Sequence, residues 1–98
     1  MNDINDQLQE AVGDGKLAQV TLYAFEPPNA NWGCDIVIYR PLNGPKAGKY
    51  IAVPRLLWIL APEQYHGTGP TEQQALLACL NLVKGVDRLT LFPGGPKD

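Results

Sequence analysis

Three groups of residues in this chain have the types and spacing to do chemistry. The first is Gly67-Thr68-Gly69-Pro70-Thr71, which runs into a strongly periodic segment. Glycines just before a helix can cradle a phosphate, because free backbone N–H groups and the helix dipole both favour an anion there. The spacing argues against that use. A dinucleotide fingerprint needs G-x-G-x-x-G, and Glu72 stands where the third glycine belongs. A P-loop needs G-x-x-x-x-G-K-[ST], and neither the spacing nor the lysine is present. Glu72 also places a negative charge in the first helical turn, where the anion would sit. The stretch reads instead as two glycines that let an extended chain turn tightly into a capped helix.

The second group is the stretch YRPLNGPKAGKY, whose ends mirror each other as Tyr39-Arg40 and Lys49-Tyr50. It predicts a hairpin with residues 41–48 as its loop. If Tyr39 opposes Tyr50, Arg40 faces Lys49, Ile38 faces Ile51, Ile36 faces Val53, and Lys46 lies in the loop. Arg55 then falls opposite Cys34 on the inner face. Like charges across two strands repel unless they splay into water or meet an anion. Cations beside aromatics suit a phosphate, an acidic peptide or a single-stranded base. Lysines that merely protect a sheet edge are the structural alternative. The candidate binding residues are therefore Tyr39, Arg40, Lys46, Lys49, Tyr50 and Arg55.

The third group is Cys34 with His66, a conceivable thiol–imidazole pair. No third group is placed to orient His66. Cys34 falls on an inward strand position and Cys79 on the apolar face of a helix, where a thiol packs as a small hydrophobe. Asp35 and Glu63 have no evident carboxylate partner. No catalytic residue is assigned, and no cofactor is implied. A structural metal site needs about four ligands, which two separated cysteines and one histidine do not supply. Trp32, after the loop EPPNAN, is a secondary contact candidate.

The elements that must position these residues follow from periodicity. Asp3 to Val12 reads as a short helix with Ile4, Leu8, Ala11 and Val12 on one side, capped by Asp3 and ended by Gly13 and Gly15. Leu17 to Phe25 alternates as a half-buried strand, with Ala18, Val20, Leu22 and Ala24 on its inner face. Pro27 and Pro28 end it. Trp32 to Arg40 is a second strand, with Trp32, Cys34, Ile36 and Ile38 inward. After the hairpin, Pro54 implies a bend or bulge, and Leu56 to Leu60 continues either as a new strand segment or as a helical turn. Thr71 to Lys84 is a helix with Ala75, Leu76, Cys79, Leu80 and Val83 as its stripe, Thr71 and Gln74 as a capping box, and Gly85 as its stop. Arg88 to Phe92 can form a short closing strand.

The chain has 98 residues, 45% hydrophobic and 18% charged, which suits one globular domain over 1–92 with a flexible tail at 93–98. The net charge of −2 argues against a protein built mainly to grip nucleic acid. The charges are segregated: Asp3, Asp6, Glu10 and Asp14 are all negative, while Arg40, Lys46, Lys49 and Arg55 are all positive. No signal peptide is visible and the longest apolar run is too short for a bilayer, so a cytoplasmic protein without a membrane partner is expected.

The order helix, three strands, helix, with the second helix reached through YHGTGPTEQQALLACL, resembles the double-stranded RNA-binding domain. Thr71, Ala75 and Ala78 match the positions where that family carries Ser or Thr and an alanine-rich face. The resemblance implies RNA binding through lysines at the start of this helix, and Glu72, Gln73 and Gln74 stand there instead. The same pattern looks like small HicB-type antitoxin domains. The expectation is an α+β domain, an antiparallel sheet of three or four strands with two helices on one face. Its favoured function is non-catalytic: a small interaction or regulatory protein that binds a protein partner through its sheet and basic hairpin. A nucleic-acid-binding module is the alternative.

Overall fold

The computed structural model describes residues 17–45 and 47–93. Five strands come first: β1 (Ala18–Phe25), β2 (Cys34–Pro41), β3 (Tyr50–Leu56), β4 (Ile59–Leu60) and β5 (Gly67–Gly69). Two helices follow, α1 (Glu72–Val83) and α2 (Arg88–Leu91). The sheet is antiparallel throughout, in the order β1-β2-β3. Beyond β3 its far side is divided: β4 pairs with Arg55 and Leu56, and β5 pairs with Tyr50 to Ala52. The α+β class and the antiparallel sheet are as expected. The order helix–strands–helix is not, because both described helices come after the strands. The helix expected at Asp3 to Val12 lies outside the described residues.

The β2–β3 register differs by one residue from the expected one. Tyr39 faces Ile51, Ile38 faces Ala52, Ile36 faces Pro54, and Arg55 faces Asp35. The physical reason lies in what packs above. Ala52 is fully buried under α1 and pairs on its other side with Gly67. An ideal Cβ on Gly67 would lie 2.3 Å from the backbone N of Cys79 and 2.5 Å from the carbonyl of Ala75. The helix backbone thus rests almost directly on β5, and Ile51 in place of Ala52 would hold it off. Gly67 and Gly69 sit in a strand rather than a tight turn, and close approach of two backbones is what requires them.

β3 runs through Pro54 to Leu56 without the expected bulge. The ladder survives the missing N–H because the Pro54 carbonyl accepts from the Ala61 N–H at 2.9 Å. Leu57 and Trp58 then turn the chain, with Leu57 at φ 59°, and β4 returns. The region 56–60 is therefore a small hairpin, neither a helical turn nor one continuing strand.

Arg88–Leu91 is helical, with Phe92 as its C-cap, and not a closing strand. The Asp87 carboxylate accepts the Thr90 N–H at 2.7 Å, which starts α2 and holds that carboxyl below its ordinary pKa. Adjacent Leu91 and Phe92 are both buried. Successive strand residues point to opposite faces, so an edge strand could not bury both. Phe92 meets Trp32 in a T-shaped contact with centroids 6.5 Å apart.

α1 follows its pattern closely. Thr71 Oγ1 accepts the Gln74 N–H at 3.1 Å, Ala75, Cys79 and Val83 are buried, and Gly85 at φ 76° follows the C-cap. The core joins these residues to Cys34, Ile36 and Ile38 of β2, Ala52 of β3, Ala61, Leu91 and Phe92.

Candidate interaction face

The observed register assigns every strand residue to a side. Gln19, Thr21, Tyr23 and Phe25 of β1 share the helix side with Ile36, Ile38, Ala52 and Leu56. Ala18, Val20, Leu22 and Ala24 share the other side with Asp35, Val37, Tyr39, Ile51, Val53, Arg55 and Leu60. The apolar face of β1, expected in the core, thus points away from it. Alternation reveals that a strand has an apolar side but not what that side meets.

This second side carries three half-exposed apolar side chains around a buried centre. Val37 and Val53 face each other at its centre and are 1% and 4% exposed, yet neither belongs to the core cluster. Around them Val20, Leu22 and Leu60 are 49%, 55% and 50% exposed. At the adjoining hairpin tip Trp58 is 82% exposed, beside Leu57 in a left-handed conformation unusual for a side chain of this kind. Exposed apolar side chains on one side of a sheet are candidates for contact with a partner.

Two depressions border the face. One encloses about 320 Å³ between Ala18, Tyr39, Pro41 and Ile51 at the hairpin end. The other encloses about 300 Å³ at the opposite end, between Ala24, Gly33, Asp35, Arg55 and Leu57. There an Arg55 Nη2 donates to Asp35 Oδ2 at 3.3 Å, while the Arg55 Nε is buried with no hydrogen-bond partner among the described residues. A third groove, about 590 Å³, lies on the helix side between Pro27, Pro28 and Trp32 and the end of α1 at Leu80 and Val83. It takes in the tryptophan loop singled out in the sequence.

The candidate residues divide between the two sides of the sheet. Tyr39 and Arg55 lie on the open face. Arg40 is exposed on the helix side, with its guanidinium carbon 5.8 Å from the centroid of the Tyr50 ring, and Tyr50 packs partly against the core. Arg40 therefore stacks on Tyr50 rather than opposing Lys49 across the hairpin. Lys49 is exposed just before β3, and Lys46 lies outside the described residues. Tyr23, expected away from the helices, donates its hydroxyl to the Glu72 carboxylate at the start of α1. That bond raises the phenol pKa. Sequence reasoning missed Leu22, Leu60 and Trp58; alternation in β1 was the one available signal, read with its direction reversed.

The remaining candidates have local partners. His66 Nε2 donates to the Ala61 carbonyl at 2.9 Å, and the Cys79 thiol to the Tyr65 carbonyl at 3.5 Å. Burial pushes the Cys34 and Cys79 thiols up to about 11, with Asp35 and Cys79 adding to the rise at Cys34. Native protein at neutral pH is expected to resist iodoacetamide at both positions, and full labelling is expected only in denaturant. Free thiols ionise near pH 8.5–9, so the unfolded chain loses these protons first. Stability is therefore retained below about pH 9 and falls as pH rises toward about 11. A pH series of urea melts, with Cys79→Ala as comparison, checks the slope.

Among the described residues no three His, Cys, Asp or Glu side chains gather as a metal site, and no helix is long and apolar enough to cross a membrane. No family model matches the chain, and no curated protein or solved structure gives a significant match.

Proposed function

We propose that this chain is a non-catalytic interaction protein that binds a protein partner through the face of its sheet turned away from the described helices, with Lys49 of the hairpin as a charged rim. The observation that carries this reading is the exposure of Val20, Leu22 and Leu60, all on the side of the sheet turned away from the described helices. Tyr39 adds an aromatic anchor of the type enriched at interface centres. Arg55, the strand cation on this face, is already paired with Asp35. An apolar protein surface suits such a face better than a phosphate backbone does, and Glu72 at the head of α1 is unsuited to phosphate.

Salt separates the two chemistries. Protein retained from a lysate on immobilised chain is expected to stay bound between low and high salt, and to be lost from Leu22→Lys and Leu60→Glu. Nucleic-acid binding would instead weaken steeply with salt as counterions are released. If the material retained is nucleic acid that elutes with salt, and the two variants retain as much as wild type, the reading is wrong. Both substitutions are at surface positions, so each is expected to change stability by no more than about 0.5 kcal/mol.

A further inference from the structure

The two edges of the sheet are unlike. The far edge is broken into β4 of two residues and β5 of three, separated by residues 61–66. The near edge is β1, eight residues long, AQVTLYAF, with no charge, proline or glycine in it. Natural edges are normally blunted by short length, lysines, prolines or bulges, and β1 has none of these. Among the described residues no strand pairs with its outer side.

The hydrogen bonding of that outer side can be read from its start. The Leu42 N–H donates to the Leu17 carbonyl at 2.8 Å, one step before the Ala18–Pro41 pair. By antiparallel alternation, positions 19, 21, 23 and 25 carry the bonds to β2. Ala18, Val20, Leu22 and Ala24 therefore turn both N–H and C=O outward. These are also the residues whose side chains line the open face.

We infer that β1 pairs antiparallel with β1 of a second copy, about a two-fold axis through Thr21. Only this register satisfies every outward group. Ala18 then bonds with Ala24 of the other copy and Val20 with Leu22, while Gln19 stands opposite Tyr23 and Thr21 opposite itself. Moving the axis to Val20 leaves Ala24 unmatched, and moving it to Leu22 leaves Ala18 unmatched. An isologous contact requires this kind of self-complementarity. The partner of this edge is a second copy of the chain, and the pairing leaves the open face free for the protein proposed above.

Sedimentation over a concentration series tests the pairing, together with two edge variants. Wild type is expected to reach twice the monomer mass. Val20→Pro removes one outward N–H while taking no bond from β2, since proline is tolerated on edge strands. It is expected to weaken dimerisation roughly 100-fold with the melting temperature nearly unchanged. Thr21→Cys reads the register directly. Non-hydrogen-bonded residues across such a pair have Cα atoms about 4.5 Å apart, within disulfide range. Mild oxidation should therefore give covalent dimer, while Gln19→Cys, which faces Tyr23, should not. The native thiols are buried and stay out of the reaction. A wild type that remains monomeric, a Val20→Pro dimer of unchanged affinity, or a Thr21→Cys chain that does not cross-link overturns the inference. Leu60→Glu lies on the open face but across the sheet from β1. It is expected to keep the dimer while losing the protein partner, so either reading can fail without the other.

Discussion

Gly67→Ala is expected to destabilise the protein by about 3 kcal/mol or more, the largest effect of a Gly→Ala change among the described glycines. The added carbon would sit 2.3 Å from the Cys79 amide nitrogen, 2.5 Å from the Ala75 carbonyl and 2.8 Å from the Cys79 Cα. All three are backbone atoms of α1, so no side-chain rotation relieves the clash. The helix must lift, and lifting it opens the contacts that bury Ala75, Cys79 and Val83 against Ala52 and Ile38. Domains of this size have about 5–15 kcal/mol of stability in total, so a loss on that scale is visible as a large fall in urea midpoint. Gly85→Ala is the matched comparison. Its φ of 76° disfavours a side chain, but a Cβ there meets nothing within 4 Å, and about 1 kcal/mol is expected. If the two variants lose similar stability, close approach of α1 to β5 is not what requires Gly67.

Phe92→Ala is expected to cost about 3–5 kcal/mol, as for other fully buried aromatic residues. Phe92 is fully buried at the end of the described core, in contact with Trp32. Its removal leaves a cavity under Trp32 that the loop from Pro27 to Asn31 must collapse to fill. Near-ultraviolet circular dichroism should lose signal along with stability, because the T-shaped pair holds Trp32 in a fixed environment. Leu89→Ala, in the same helical turn but 48% exposed, is expected to change stability far less. Equal effects at 89 and 92 would mean that α2 contributes helicity rather than a buried plug.

The helix Glu72–Val83 was legible in the sequence almost to its ends, since cap, stripe and stop all fall within one local segment. The three long strands were legible as well. What sequence alone misplaced depended on partners far along the chain. The hairpin register rested on matching Tyr39 with Tyr50, yet the decisive contact is the fit of Ala52 and Gly67 beneath α1, and Gly67 lies outside the hairpin. The loop between carries Gly44 and Gly48 at φ 85° and 88°, conformations that set how the strands leave the turn. Arg88 to Phe92 looked like a strand by composition, and the Asp87 cap reversed that. For the candidate site, Tyr39 and Arg55 fall on the open face, while Arg40 and Tyr50 form a stacked pair on the other side. The one-residue change of register exchanges the sides of Tyr50 and Arg55, while Tyr39 and Arg40, being consecutive, face opposite ways in either register.

The interrupted far edge has a bearing on how large an assembly can become. A strand that pairs with its like at one edge could, with a second long edge, add copies indefinitely and grow into a fibre. Here the residues after β4 leave the sheet at Ala61 and return only at Gly67, so the ladder beyond β3 has no continuous run for another chain to extend. With β1 paired as inferred, growth has one direction available and is exhausted by a single step. A mutation that joined β4 to β5 into one uninterrupted strand would remove that stop, and insoluble filaments rather than a discrete species would be its sign.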